Sequence, residues 1–243
     1  MTLSNKVALV TGGAKRVGKA IVRTLAKRGC RVLVHYHTSQ AEAEETVREL
    51  LAAGHEAVAL QADITQEAEV ERLVETAVQR FGRIDVLVNN ASIFYRTPIA
   101  TLTADDIERV IDTNLTGTFI CSQKVGLRML DWGSGHIINM ADVAGLRPWV
   151  DYLPYSIAKA CVLTLTQGLA MEFAPNVMVN AVVPGPVLFQ DDTPEEVQQR
   201  EIDKTLLKRM GTPEEVAALV AFVAESDYST GAVFHIDGGR SLT

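Results

Sequence analysis

Short apolar runs rich in β-branched residues alternate with longer amphipathic stretches along nearly the whole chain. Residues 7–10, 31–36, 56–60, 86–88, 136–139, 177–183 and 232–236 have the length and composition of buried strands. Between the third and fourth runs, Val70, Leu73, Val74, Ala77, Val78 and Phe81 recur at the 3.6-residue period, so this segment predicts a helix with one apolar stripe facing a sheet. Residues 19–28 and 40–53 repeat that pattern, and Gly29 and Gly54 follow them where a helix C-terminus takes positive φ. Strand–helix–strand alternation implies right-handed crossovers and a mostly parallel sheet covered on both faces. No Pro/Ser-rich linker interrupts it, which predicts one doubly wound α/β domain over residues 1–243. After Pro184-Gly185-Pro186, residues 190–200 are rich in acidic residues and Gln and read as a mobile surface excursion of the kind that covers sites.

Composition narrows the classes. With 47% hydrophobic and 22% charged positions in 243 residues, the chain can build a packed core and does not read as disordered. No apolar run reaches the roughly 18 residues of a membrane helix, and the first residues lack a signal core, so a cytoplasmic protein without membrane attachment is expected. Thirty acidic against 23 basic residues, a net charge of −7, argue against nucleic-acid binding. Cys30, Cys121 and Cys161 are odd in number and far apart, which predicts reduced, mostly buried thiols. His35, His55, His136 and His235 show no ligand spacing and are read as structural; no metal site is expected.

The segment from Thr11 to Gly18 follows the first strand and opens the first helix, where backbone N–H groups and the helix dipole favour an anion. Gly12 suits the tight turn and Gly18 close helix–strand packing, while Lys15 and Arg16, followed by Val17, place positive charge beside a dinucleotide's phosphates. The second strand ends in His37, Thr38 and Ser39 rather than in the carboxylate that holds an NAD ribose. A 2′-phosphate is not repelled there and these side chains can donate to it, so NADPH/NADP is the expected cofactor.

At this point the chain resembles the short-chain dehydrogenase/reductase family over nearly its whole length. The residues that carry the likeness are Asp63-Ile64, which resembles the family's adenine-contacting Asp, and Asn89-Asn90-Ala91-Ser92, similar to its Asn-Asn-Ala-Gly turn with Ser in place of Gly. Asn114 sits in a segment resembling the catalytic Asn segment, Tyr155 and Lys159 match the Tyr-x-x-x-Lys pair, and Pro184-Gly185, with Val187 just behind, resembles the turn flanking nicotinamide. The resemblance implies a Rossmann fold with a seven-stranded parallel sheet. It also implies hydride delivery by nicotinamide, protonation by Tyr155, and a water relay from Asn114 to Lys159. Positions i and i+4 share a helix face, so Lys159 is expected to approach the Tyr155 phenol and lower its pKa.

Three departures from the family pattern narrow the substrate. Thirteen residues before Tyr155, where the family has a serine, stands Asp142. An ionised carboxylate opposes charge developing on a carbonyl oxygen and favours a cationic C=N. Arg16 replaces a glycine of the phosphate loop and adds a guanidinium able to reach phosphate or substrate, and Phe94 offers a flat wall opposite nicotinamide. Together with His35-Tyr36-His37 and residues 204–209, these features resemble the pteridine reductases. The resemblance implies reduction of a dihydropterin- or dihydrofolate-type small molecule, with Arg16, Phe94, Asp142 and Tyr155 lining the substrate slot and Asp142, Tyr155, Lys159 and Asn114 as catalytic residues. The alternative is a general carbonyl reductase, such as a 3-oxoacyl thioester reductase; a nucleotide-sensing regulator is disfavoured by the intact Asn114, Tyr155 and Lys159. In the helix from Tyr155 to Phe173, the apolar band of Cys161, Val162, Leu163, Leu165, Leu169 and Ala170 is wider than one sheet-facing stripe and predicts a partner helix, hence a homotetramer.

Overall fold

A computed structural model describes residues 2–189 and 193–243. Seven strands pair in the order β3-β2-β1-β4-β5-β6-β7. They are β1 (Val7–Val10), β2 (Arg31–Tyr36), β3 (Ala57–Gln61), β4 (Val86–Asn89), β5 (Gly135–Met140), β6 (Val177–Pro184) and β7 (Val233–Ile236). Every pairing is parallel. The expected doubly wound, single-domain sheet is therefore what forms, with strand ends displaced by a residue or so.

Both faces of β1 are buried, which is why it reads as a continuous apolar run rather than an alternation. Ala8 and Val10 enter a core with α1 (Arg16–Lys27), α2 (Gln40–Ala52) and α8 (Pro213–Glu225). Val7 and Leu9 enter the opposite core with α3 (Glu67–Phe81), α5 (Gly117–Asp131) and α6 (Leu153–Phe173). Helices α1 and α3 begin earlier than periodicity alone marks them, because their first turns are polar.

Two expectations need correction. Residues 195–200, read as part of a mobile excursion, belong to helix α7 (Glu195–Asp203), with Glu195 and Glu196 in its first turn and Arg200 in its last, the placement the helix dipole favours. Residues 190–192 of that expectation lie outside the described residues. The wide apolar band of α6 is also met inside the chain: Val162, Leu169 and Ala170 are buried, and Leu163 and Leu165 pack against the cores. These side chains are not free for a partner helix, so the homotetramer loses that support. Cys30 and Cys121 are buried, with burial pushing each thiol up to about 12, and Cys161 is half-buried. Among the described residues no helix is long and apolar enough to cross a membrane.

Candidate active site

The strand order reverses at β1, whose neighbours are β2 and β4, and this switch point opens a crevice beyond the strands' C-terminal ends. A cavity of about 1340 Å³ occupies it. The loop after β1 approaches the loop after β4 so closely that only glycine fits. A Cβ on Gly12, whose φ is +61°, would lie 2.9 Å from the Ala91 Cα, and one on Gly18 would lie 2.1 Å from the Gly12 carbonyl oxygen. The Asn90 side-chain amide donates to the carbonyls of Thr11 and Gly12, both at 3.0 Å. Helix α1 opens here with no side-chain cap and no acidic residue in its first turn. Its N-terminal N–H groups thus offer a cradle for an anion.

His35 braces this loop from below. Its Nδ1 accepts from the Gly12 N–H at 3.1 Å, and its Nε2 lies 3.0 Å from the Ala62 carbonyl. The ring is buried, and desolvation pulls its pKa down to about 4, so it is neutral with the proton on Nε2. Reading His35 as structural is correct as far as it goes. Its position links the phosphate cradle to the segment leading into Asp63, a connection of 27 residues that sequence spacing does not reveal.

Asp63, Ile64, His37, Thr38 and Ser39 line the adjoining part of the cavity. Asp63 accepts from the Thr65 N–H and hydroxyl at 2.9 and 2.8 Å, and its carboxylate lies 3.8 Å from His37 Nε2. Lys15 and Arg16 stand at the mouth, Lys15 being 3.6 Å from Glu42. Arg16 has φ +54° and donates from Nη2 to the carbonyls of Leu188 and Phe189 at 3.4 and 3.2 Å, so its guanidinium spans the crevice between the cradle and the segment beyond β6. Val17, Pro184, Gly185 and Val187 complete that wall.

At the other end Tyr155 donates its phenolic proton to Asp142 Oδ2 at 3.0 Å. Asp142 also caps the short 3-10 turn Val143–Gly145 by accepting from the Ala144 N–H at 2.7 Å, so the same carboxylate serves a local and a long-range partner. Lys159 is buried beneath them and donates to the Met140 carbonyl at 2.8 Å, with Nζ 5.7 Å from the centroid of the Tyr155 ring. Desolvation brings Lys159 down to about 8. Burial raises the Asp142 carboxyl, against the pull of the Ala144 N–H and Lys159.

The expected lowering of the Tyr155 pKa by Lys159 is not what the geometry gives. Burial first, and then the Asp142 carboxylate, hold the phenol well above its usual range, while the lysine is turned to a backbone carbonyl. Asn114 differs too. It lies in a π-helical turn (Asp112–Thr116) between α4 (Ala104–Ile111) and α5, and its side-chain amide is taken up by the backbone of Ile93, accepting from its N–H at 2.8 Å and donating to its carbonyl at 2.9 Å. Its side chain thereby fixes the loop that carries Ser92 and Phe94.

Phe94 stacks on Tyr152 with centroids 4.4 Å apart and planes 6° apart, and meets Tyr155 and Trp149 edge-on at 4.8 and 6.1 Å. This aromatic wall adds Tyr152 and Trp149 to the site. Their place in the loop just before Tyr155 is the only hint of it in the sequence. Glu201, which pairs with Lys204 at 2.5 Å and with the buried Arg240 at 3.3 Å, closes the far side. Sequence gave no sign of this pairing, because 39 residues separate Glu201 from Arg240.

The short chain dehydrogenase family model matches residues 6–200. The chain belongs to the short-chain dehydrogenase family. A 3-oxoacyl-[acyl-carrier-protein] reductase of Synechocystis is 42% identical over 99% of this chain and 98% of its own length. Glucose 1-dehydrogenase 2 of Bacillus subtilis is 34% identical over 99% and 96%. Among solved structures, a variant of actinorhodin polyketide ketoreductase with NADPH superposes with a TM-score of 0.92 at 33% identity, covering 100% of this chain and 99% of that one. This short-chain dehydrogenase is therefore an NAD(P)-dependent oxidoreductase, and the pteridine-reductase subgroup is not represented in these names.

Proposed function

We propose that this short-chain dehydrogenase is an NADPH-dependent reductase in which Tyr155 protonates the substrate. The residues present suit the cofactor: the cradle of Gly12, Lys15, Arg16, Val17 and Gly18 would hold the pyrophosphate. His37, Thr38 and Ser39 would hold the 2′-phosphate, Asp63 and Ile64 the adenine. Asn90, Ala91, Ser92, Pro184, Gly185 and Val187 would hold the nicotinamide half. Bound there, the nicotinamide supplies a hydride. The chain's own residues do the rest: Tyr155 delivers a proton at its Oη, Lys159 puts positive charge beneath the site, and Asn114 holds the Ile93 loop in place.

Two substrate classes draw on different support. The relatives' names favour a 3-oxoacyl thioester, and on overall similarity that is the better-backed reading. The site geometry favours a flat dihydropterin- or dihydrofolate-type ring, and the single observation behind it is the 3.0 Å contact of Tyr155 Oη with Asp142 Oδ2. A carboxylate beside the proton donor stabilises a cationic C=N and disfavours negative charge growing on a ketone oxygen. Identity over a whole chain weighs every residue alike, whereas the chemistry depends on the few side chains at the reacting atoms. Pterin-type reduction is accordingly the reading the site carries, with Arg16, Phe94, Asp142 and Tyr155 around the substrate, and 3-oxoacyl thioester reduction is the second.

The test follows absorbance at 340 nm with NADPH and either dihydrobiopterin or acetoacetyl-coenzyme A. A kcat/KM at least tenfold higher for the pterin is expected; the reverse preference establishes the thioester reading. Tyr155→Phe should cut turnover by about 100-fold or more with NADPH affinity retained. A homotetramer belongs to the same proposal, now supported by exposed Phe119 and Leu127 on α5 and Ile157 and Met171 on α6. A monomer by light scattering at micromolar concentration refutes it.

A further inference from the structure

Two surface loops meet at the substrate half of the cleft. One leaves β4 and includes residues 92–97; the other, residues 147–152, leads into α6 and so to Tyr155. Phe94 of the first stacks on Tyr152 of the second at 4.4 Å with planes 6° apart, and Phe94, Trp149 and Tyr152 all line the cavity. A stacked aromatic pair favours its closed arrangement by only roughly two- to tenfold. Ordering two loops costs more than that, so the wall needs a second tie.

Asp151 supplies it. Its carbonyl accepts from the Thr97 N–H at 2.6 Å and from the Thr97 hydroxyl at 3.2 Å, and its carboxylate accepts from Arg96 Nη2 at 2.5 Å. The backbone and side chain of one residue thus grip two consecutive residues of the other loop. Thr97 is buried, so losing its partner leaves a donor unsatisfied. Asp151 has φ +64°, a left-handed conformation that Asp and Asn tolerate and a β-branched residue does not. It directly precedes Tyr152, the N-cap residue of α6, so whatever holds Asp151 also sets the place of the Tyr152 ring. The β4 loop is itself anchored, because the Asn114 amide holds the N–H and the carbonyl of Ile93 at 2.8 and 2.9 Å. The entry loop of α6 is therefore tied to a fixed partner.

We propose that Asp151 is a positioning residue for substrate binding: with Arg96 and Thr97 it forms a clasp that holds Phe94 and Tyr152 as one wall of the slot. This inference deepens the proposed reductase reading and rests on it, since the wall matters to catalysis only when a substrate lies against it. Tyr155 is held separately, by Asp142 at 3.0 Å and by its place within α6. Loosening the clasp then weakens substrate binding and spares proton transfer, a split that general loosening of the fold does not produce. The two contacts differ in weight. The Arg96 side chain is 66% exposed, and an ion pair so placed is worth about two- to threefold and is screened by salt. The buried Thr97 bonds and the left-handed turn together are worth about tenfold.

Arg96→Gln and Asp151→Asn remove the ion pair alone, and Asp151→Val also breaks the turn. With saturating NADPH and whichever of dihydrobiopterin and acetoacetyl-coenzyme A the protein reduces, the first two should raise KM about threefold and Asp151→Val about tenfold. In all three, kcat and the NADPH dissociation constant should stay within about twofold. The double variant Arg96→Gln/Asp151→Asn should do no more than either single one, because both remove the same contact. Raising the salt from 50 to 500 mM should narrow the gap in KM between wild type and Arg96→Gln. A KM unchanged in Asp151→Val overturns the proposal, as does a loss that falls on kcat instead, and fully additive single variants remove Arg96 from the clasp. If wild type reduces neither compound, the functional reading fails on its own, and the clasp is read without turnover. Exchange of the Thr97 amide hydrogen should quicken at least tenfold in Asp151→Val, and the near-ultraviolet circular dichroism lost in Phe94→Leu should be lost there too; an unchanged exchange rate and spectrum overturn the inference.

Discussion

Replacing Asp142 by serine should raise activity towards ketones relative to pterin-type C=N substrates. The carboxylate oxygen stands 3.0 Å from the Tyr155 Oη, and therefore close to whatever atom that phenol protonates. A unit charge at this separation, with an effective dielectric constant near 20, interacts with another by about 5 kcal/mol. Lys159 sits in the same buried pocket with opposite charge, and the reacting atom carries only part of a charge in the transition state, so about 3 kcal/mol of discrimination remains. That corresponds to roughly a hundredfold change in the ratio of kcat/KM between the two substrate classes. Measuring kcat/KM for dihydrobiopterin and acetoacetyl-coenzyme A in Asp142→Ser and wild type gives the ratio directly. A ratio that moves by less than about threefold refutes the electrostatic reasoning, whichever substrate wild type prefers. Asp142→Asn separates charge from shape: it removes the charge at nearly constant size, and should reproduce most of the shift.

Gly18→Ala should weaken NADPH binding at least tenfold, because its Cβ would meet the Gly12 carbonyl oxygen at 2.1 Å and force the cradle open; fluorescence titration measures it. Stability should fall as pH drops from about 6.5 to about 4. His35 and His136 are buried as neutral rings with pKa lowered to about 4, so the unfolded chain binds more protons across that window, each group contributing stability that is complete above pH 6.5. The loss is on the order of 3 kcal/mol per ring. Thermal unfolding of wild type and His136→Gln over this range checks it: the variant should be flatter with pH, and equal slopes contradict the assignment.

Much of the fold is legible without coordinates. Strand cores and the sheet-facing stripe of α3 follow from periodicity, because burial on a sheet imposes a spacing that any helix or strand must obey. The phosphate cradle is equally local: one strand, one turn and one helix end within a dozen residues. What periodicity misplaced was α7, whose order comes from end charges rather than an apolar face, and the breadth of the α6 band, which two packed cores consume.

The candidate chemistry divides along the same line. The sequence by itself determined the doubly wound class and which residue types stand at the strand ends, since both are set by order along the chain. Only the tertiary structure decided their partners: that Lys159 turns to Met140 rather than to the phenol, that Asn114 grips Ile93, that Tyr155 donates to Asp142, and that His35 ties two loops together. Each of these is a hydrogen bond between groups distant in sequence or on neighbouring loops. Its geometry depends on distances of a few tenths of an ångström, which follow from how strands and helices pack and not from their order.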